Sequence, residues 1–140
     1  MTIRSLFVLA IGGLMVAVAP IHAHHSFAAE YDSERPITLT GSVVRLEWTN
    51  PHARIYIDVK DESGKVVTWD CELGPPNGLM RRGRTRNSLK PGHMITVAGF
   101  RSKLSPVGAN ARTVTLADGR QVFAGSSFDT GPSADDPARK

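Results

Sequence analysis

The sequence predicts an all-β fold: a small OB-like antiparallel barrel of five or six strands with one short helix. Three observations carry this expectation. Apolar and polar residues alternate with period two through successive segments from Pro36 onward. The alternation slips by one residue just past Gly41, the mark of a β-bulge in a long, bent strand. The order of three strands, a short helix and two or three further strands is that of an OB-type barrel. Another small β-barrel or a half-open sandwich is the runner-up.

In the first strand Ile37, Leu39, Gly41 and Val43 share one face, and Val44, Leu46 and Trp48 follow after the slip. Thr49-Asn50-Pro51-His52 is a turn, because Asn before Pro favours turn initiation. The second strand points Ala53, Ile55, Ile57 and Val59 inward and Arg54, Tyr56, Asp58 and Lys60 outward. Residues 61–65 form a hairpin loop with Gly64 near its end. The third strand then places Val67, Trp69, Cys71 and Leu73 inward and Thr68, Asp70 and Glu72 outward, completing an antiparallel meander.

After Gly74-Pro75-Pro76, Asn77 is expected to cap a short helix over residues 79–82, which Gly83 closes. Residues 85–89 are expected to add one more helical turn. Lys90-Pro91-Gly92-His93 is a tight turn that launches a fourth strand over 94–100, with Ile95, Val97 and Gly99 on one side. A loop over 102–108 leads to a fifth strand over 111–116. Asp118-Gly119 is a two-residue hairpin signal, and residues 121–124 can pair back across it. There is no internal repeat.

The 140 residues suit one domain, and the first two dozen differ from the rest. Arg4 precedes an apolar run over 6–19, interrupted only by Gly12 and Gly13; Pro20 breaks it, and Ile21-His22-Ala23 offers a small residue for cleavage. This is the layout of a secretory signal peptide, and the run is shorter than the roughly 20 residues of a membrane span. Cleavage after Ala23 leaves His24 first; a cut after Ala28 is the alternative. The expected organisation is a signal peptide over 1–23, an N-terminal arm over 24–35, the β domain over 36–125 and a disordered, Ser-, Asp- and Pro-rich tail over 126–140. The expected location is periplasmic or secreted, with no transmembrane segment after cleavage. Cys71 is the single cysteine, so an apolar core rather than a disulfide must hold the fold. The net charge is +4. Export argues against nucleic acid as a partner, and a basic surface outside the cytoplasm suits anionic lipid, polyanions or another envelope protein.

A series of short motifs runs through the chain: His24-His25-Ser26-Phe27, Leu46-Glu47-Trp48-Thr49-Asn50-Pro51-His52, Glu72-Leu73-Gly74, Pro76-Asn77-Gly78-Leu79, Arg81-Arg82-Gly83, Ser88-Leu89-Lys90-Pro91-Gly92, Ala109-Asn110-Ala111-Arg112 and Val114-Thr115-Leu116-Ala117-Asp118-Gly119. The chain thereby resembles a family of exported bacterial proteins catalogued as domain of unknown function 6152. The resemblance covers nearly all of the mature chain except the tail. It implies export and a small β-fold and brings no activity with it. Arg84 stands where the family is associated with an aromatic residue.

The candidate metal ligands are His24, His25 and His52. A free N-terminal His chelates through its α-amine and ring nitrogen, and such nitrogen donors in a square plane suit Cu(II) or Ni(II), with copper at the top of the affinity order. His25 or His52 would complete the site. Against this stands a solvated His pair and a His52 that merely fixes its turn, since no paired-Cys or His-Glu-x-x-His spacing supports a metal. Copper is therefore the one cofactor candidate.

Arg81, Arg82, Arg84 and Arg86, with Lys90, form a candidate anion- or partner-binding patch, because the guanidinium fork matches carboxylate and phosphate. A solvated basic face is the alternative. Trp48 and Trp69 are expected in the core, Cys71 as a buried inert thiol, and Met80 and Met94 as core filler; Tyr56 beside Arg54 is expected at the surface. Nothing in the sequence carries a catalytic motif, so a binding role and no enzyme activity is expected. The first expectation is an exported copper-binding module; the second is a metal-free module whose open strand face and Arg-rich segment contact an envelope protein or anionic ligand.

Overall fold

The computed structural model of the chain describes residues 27–124. Helix α1 (Phe27–Glu30) leads directly into strand β1 (Tyr31–Glu47). Strands β2 (Arg54–Lys60) and β3 (Val66–Glu72) follow, then helix α2 (Pro76–Arg81) and strands β4 (Met94–Ser102), β5 (Gly108–Leu116) and β6 (Gln121–Ala124). Antiparallel pairing joins β3 to β2, β2 to β1, β1 to β4, β4 to β5 and β5 to β6. A short parallel pairing of Asp70, Cys71 and Glu72 with Gly108, Ala109 and Asn110 ties β3 back to β5. Five strands thus form a ring in the order β1-β2-β3-β5-β4, the OB-like arrangement that the element order predicts.

The bulge lies where the phase slip puts it: the register of β1 on β2 shifts between Val43 and Arg45, leaving Val44 as the extra residue. Val43 faces the core and Val44 is exposed. Ala53, just before β2, and the inward Ile55 and Ile57 are fully buried at 0% exposure, while Val59 is partly buried. They pack with Leu39, Val97, Val114 and Phe123 in one core cluster. Each of the larger ones, the Val, Leu, Ile and Phe side chains, contributes about 1.5–3 kcal/mol by leaving water. Trp69 is buried, and Trp48 is partly buried with its ring 6.5 Å from that of Phe123, so both indoles pack against the core as expected.

Four expectations are corrected. The first strand starts at Tyr31, five positions before Pro36, because Tyr31 and Asp32 pair with Ser102 and Arg101 of β4. Residues 27–35 of the segment expected as an N-terminal arm thus include the start of β1, and Phe27 packs on Tyr31 and Phe100. Helix α2 begins at Pro76 and ends at Arg81; Pro75 precedes its first turn, and no side chain caps it, so Asn77 lies inside the helix. Proline is preset for a first helical position, where its missing N–H costs nothing. Residues 85–89 form turns fixed by Ser88 Oγ, which accepts from Thr85 N at 2.9 Å. Met80 and Met94 are half exposed, not core filler.

Gly83 closes α2 with φ +74°, and its N–H donates to the Met80 carbonyl at 2.9 Å. The left-handed conformation is one that glycine adopts without steric cost. The Asn50–Pro51 peptide in the β1–β2 turn is cis. Among the described residues no helix is long and apolar enough to cross a membrane.

Candidate functional site

A polar cluster sits on the outer side of the ring, at the end of β3 where it meets β5. Alternation assigns Glu72 an outward position, yet the residue is only 4% exposed. Three side chains explain how a carboxylate is accommodated there. Arg54, directly opposite Glu72 in the β2–β3 register, donates from Nη2 to Glu72 Oε2 at 3.1 Å and from Nη1 to Asp70 Oδ2 at 2.6 Å. His52, in the β1–β2 turn, places Nδ1 3.3 Å from Glu72 Oε1. Tyr31, itself buried at 6% exposure, also hydrogen-bonds Glu72. A buried carboxylate is retained only when its lone pairs are met in this way.

Electrostatics within the cluster follow from burial. Desolvation, then the Glu72 charge and the hydrogen bond to it, push the Tyr31 phenol far above its ordinary value, so Tyr31 stays neutral and donates. Burial works against the Arg54 charge, but the hydrogen bond and charge of Asp70, with the charge of Glu72, outweigh it and raise the guanidinium pKa. Two carboxylates face one guanidinium, so before His52 is counted the group carries a formal charge of −1. The second oxygen of Asp70, Oδ1, is buried with no hydrogen-bond partner among the described residues.

The N-terminal segment is part of this site. The Phe27 ring lies 5.4 Å from that of Tyr31 and edge-on to Phe100 at 5.9 Å, while Arg112 stacks on the other aromatic partner, Phe100, at 5.7 Å. Lys103 Nζ donates to the Ala28 carbonyl at 2.8 Å. The start of the described chain is thereby fixed on the outer face of β4 and β5, with Tyr31 reaching the carboxylate that also engages His52.

The Glu72 carboxylate lies beside Nδ1 of His52, so Nε2 is the ring nitrogen that does not face it. The side chain is 33% exposed. A carboxylate behind one ring nitrogen is the usual support of a metal-ligating imidazole, because it fixes the tautomer and raises the basicity of the other nitrogen. His93, in the turn before β4, instead accepts from Lys90 N through Nδ1 at 3.4 Å. His24 and His25 lie outside the described residues. Among the described residues no group of three His, Cys, Asp or Glu side chains is placed to hold a metal ion. Cys71 is fully buried, and burial pushes its thiol up to about 12.

The arginine series is spread over α2 and the segment that follows it. Arg81, Arg82 and Arg86 are exposed around α2 and the following turns. Arg84 is partly buried and donates from Nη2 to the Gln121 carbonyl at 3.3 Å, covering part of the β6 edge. Tyr56 lies under the Arg45 guanidinium at 3.5 Å and donates to Glu47 Oε2 at 3.3 Å, which makes it a packed surface residue.

Tyr31, Arg54, Asp70 and Glu72 are the cluster members that outward phase alone did not single out. The available signal was compositional: β2 and β3 place Arg54 opposite Glu72 and Tyr56 opposite Asp70, an unusual concentration of charge for two neighbouring strands.

A model of the family described as Family of unknown function (DUF6152) matches residues 13–110. No curated protein matches the chain. Among solved structures, a complex of TiaS with an isoleucine tRNA and ATP is similar with 20% identity and a TM-score of 0.45 over 61% of this chain. A ZRD-deleted mutant of TiaS in complex with agmatine is similar with 21% identity and a TM-score of 0.44 over 73% of this chain. The chain spans only 18% and 26% of those two chains. Likeness at this level transfers no activity.

Proposed function

The chain belongs to the DUF6152 family, whose function is unknown, and from that premise we propose that it is an exported β-rich binding protein that holds copper where its mature N-terminus meets His52. The observation that supports this reading is the 3.3 Å contact between His52 Nδ1 and the buried Glu72 carboxylate. It leaves Nε2 as the ring's coordinating atom, backed by the carboxylate support common to metal-binding histidines. The surplus negative charge of Glu72 and Asp70 over Arg54 favours a cation beside it.

Chain connectivity supports the rest of the ligand set. His25 is two positions before Phe27, which packs on Tyr31 and Phe100. Cleavage after Ala23 would give His24 a free α-amine, and that amine with the His24 ring forms a chelate suited to Cu(II). His52, with or without His25, would complete a nitrogen-rich plane. The role proposed is binding, in the periplasm or outside the cell; no residue is assigned a catalytic step.

The test is a Cu(II) titration of the chain beginning at His24 beside a chain carrying one additional N-terminal residue. Tight binding confined to the first chain supports the chelate. Equal, weak binding to both removes it and leaves a metal-free envelope module using the outer strand face and Arg81, Arg82, Arg84 and Arg86.

A further inference from the structure

The geometry points to a second site, independent of copper: a groove at the β4–β5 loop that receives the phosphate of an anionic lipid headgroup, with Leu104 entering the membrane interface. The open groove has a volume of about 330 Å³ and is lined by Arg35, Arg101, Ser102, Lys103, Leu104 and Ser105. Three of these side chains are cationic and none is acidic.

Two structural features bring the cations together. The register of β1 on β4 shifts between Asp32 and Pro36, so Arg35 belongs to an irregular stretch that leaves the ladder, and it is exposed. Arg101 and Lys103 flank the end of β4, with the Arg101 guanidinium 5.2 Å from the Trp69 ring. Asp32 lies opposite Arg101 in the register, and its Oδ1 accepts from Glu34 N at 3.1 Å. Lys103 uses one ammonium proton on the Ala28 carbonyl and retains two more donors.

The loop itself is held in shape. Ser102 Oγ accepts from Leu104 N at 3.0 Å and Ser105 N at 3.2 Å, and Lys103 N donates to the Glu30 carbonyl at 2.8 Å. Leu104 is nevertheless 75% exposed, while the other exposed large apolar residues among the described residues reach 51% or less. A fixed loop that presents one leucine beside three cations matches an interface whose outer layer is phosphate and whose next layer is hydrocarbon. A free phosphate would satisfy the cations but give Leu104 nothing to enter, so the lipid is the occupant assigned.

Co-sedimentation of the full mature chain with vesicles tests this assignment. Vesicles of equal parts phosphatidylcholine and phosphatidylglycerol should bind it at least about tenfold better than phosphatidylcholine alone. Arg35→Glu should abolish most of that preference, and Leu104→Ser should weaken binding severalfold, with both variants keeping the parent's melting temperature to within a few degrees. Arg81→Glu combined with Arg82→Glu should have little effect. Equal binding to both vesicle types, no effect of Leu104→Ser, an equal loss in the Arg81/Arg82 variant, or complete release by inorganic phosphate would overturn the proposal. If Arg35→Glu does not fold, Arg35→Gln serves as the charge-removing variant, and unchanged binding by it would equally contradict the assignment.

Discussion

Glu72 Oε1 stands 3.3 Å from His52 Nδ1, while Oε2 of the same carboxylate accepts from Arg54 Nη2 at 3.1 Å. One buried side chain thus orients a turn histidine and satisfies a strand arginine, and Tyr31 joins it from the N-terminal segment. Removing Arg54 leaves Glu72 buried without its cation. The Arg54 side chain is itself 34% exposed, so Arg54→Ala is expected to destabilise the domain by about 1–3 kcal/mol, the cost of leaving a buried acceptor without its partner. Arg81→Ala, at an exposed position, is expected to change stability by less than about 0.5 kcal/mol. Urea denaturation of the two variants compares them directly.

Tyr31→Phe keeps the ring packing on Phe27 and removes only the hydroxyl bound to Glu72. The expected loss is about 1.5–3 kcal/mol, the range for a hydrogen bond to a charged group. Hydrogen exchange should also rise at the amides of residues 31 and 32, because the same side chain holds the start of β1 on the outer face.

The β2–β3 hairpin has an acid-sensitive hinge. Asp61 Oδ1 accepts from Ser63 Oγ at 2.6 Å, Ser63 N at 2.9 Å and Lys65 N at 3.0 Å. The Ser63 hydroxyl foremost, then the backbone N–H groups, hold the carboxyl below its ordinary value. The unfolded chain therefore binds the proton more readily, and this stabilisation is present above the unfolded-state value of about 3.9 and lost as pH falls through the lower folded one. Asp61→Asn should lower the urea midpoint near neutral pH and flatten the acid side of the stability profile. A variant with the parent's full acid slope would contradict this.

Cys71 is fully buried and its thiol is pushed up to about 12. The native protein should react negligibly with a thiol reagent at about pH 8, and the denatured chain should react fully, because the thiolate is the nucleophile. Rapid native labelling would show that β3 opens.

Much of the fold is legible because side-chain direction in a strand depends only on register. The Val43–Val44 phase slip marks the bulge, and the inward series Ala53, Ile55, Ile57 marks the core. Alternation says which face a residue takes but not what later covers that face. Glu72 was therefore outward by phase and buried in fact, since Tyr31, more than 40 positions earlier, lies against it. The parallel β3–β5 pairing is invisible for the same reason: it joins segments far apart in sequence with no local signal. Met80 and Met94 show the reverse case, apolar residues left at the surface. For the site, His52 was legible as a turn histidine, and the carboxylate behind it was not.

The most direct test of the account is the Cu(II) dissociation constant of the chain beginning at His24, compared with its His52→Ala and Glu72→Gln variants. Loss of a ligand, or of the carboxylate that orients it, should weaken binding by about 10–100-fold in each variant. His52→Ala should also remove one imidazole nitrogen from the copper electron paramagnetic resonance spectrum. Unchanged affinity and an unchanged spectrum in His52→Ala would show that His52 and its carboxylate serve only the turn.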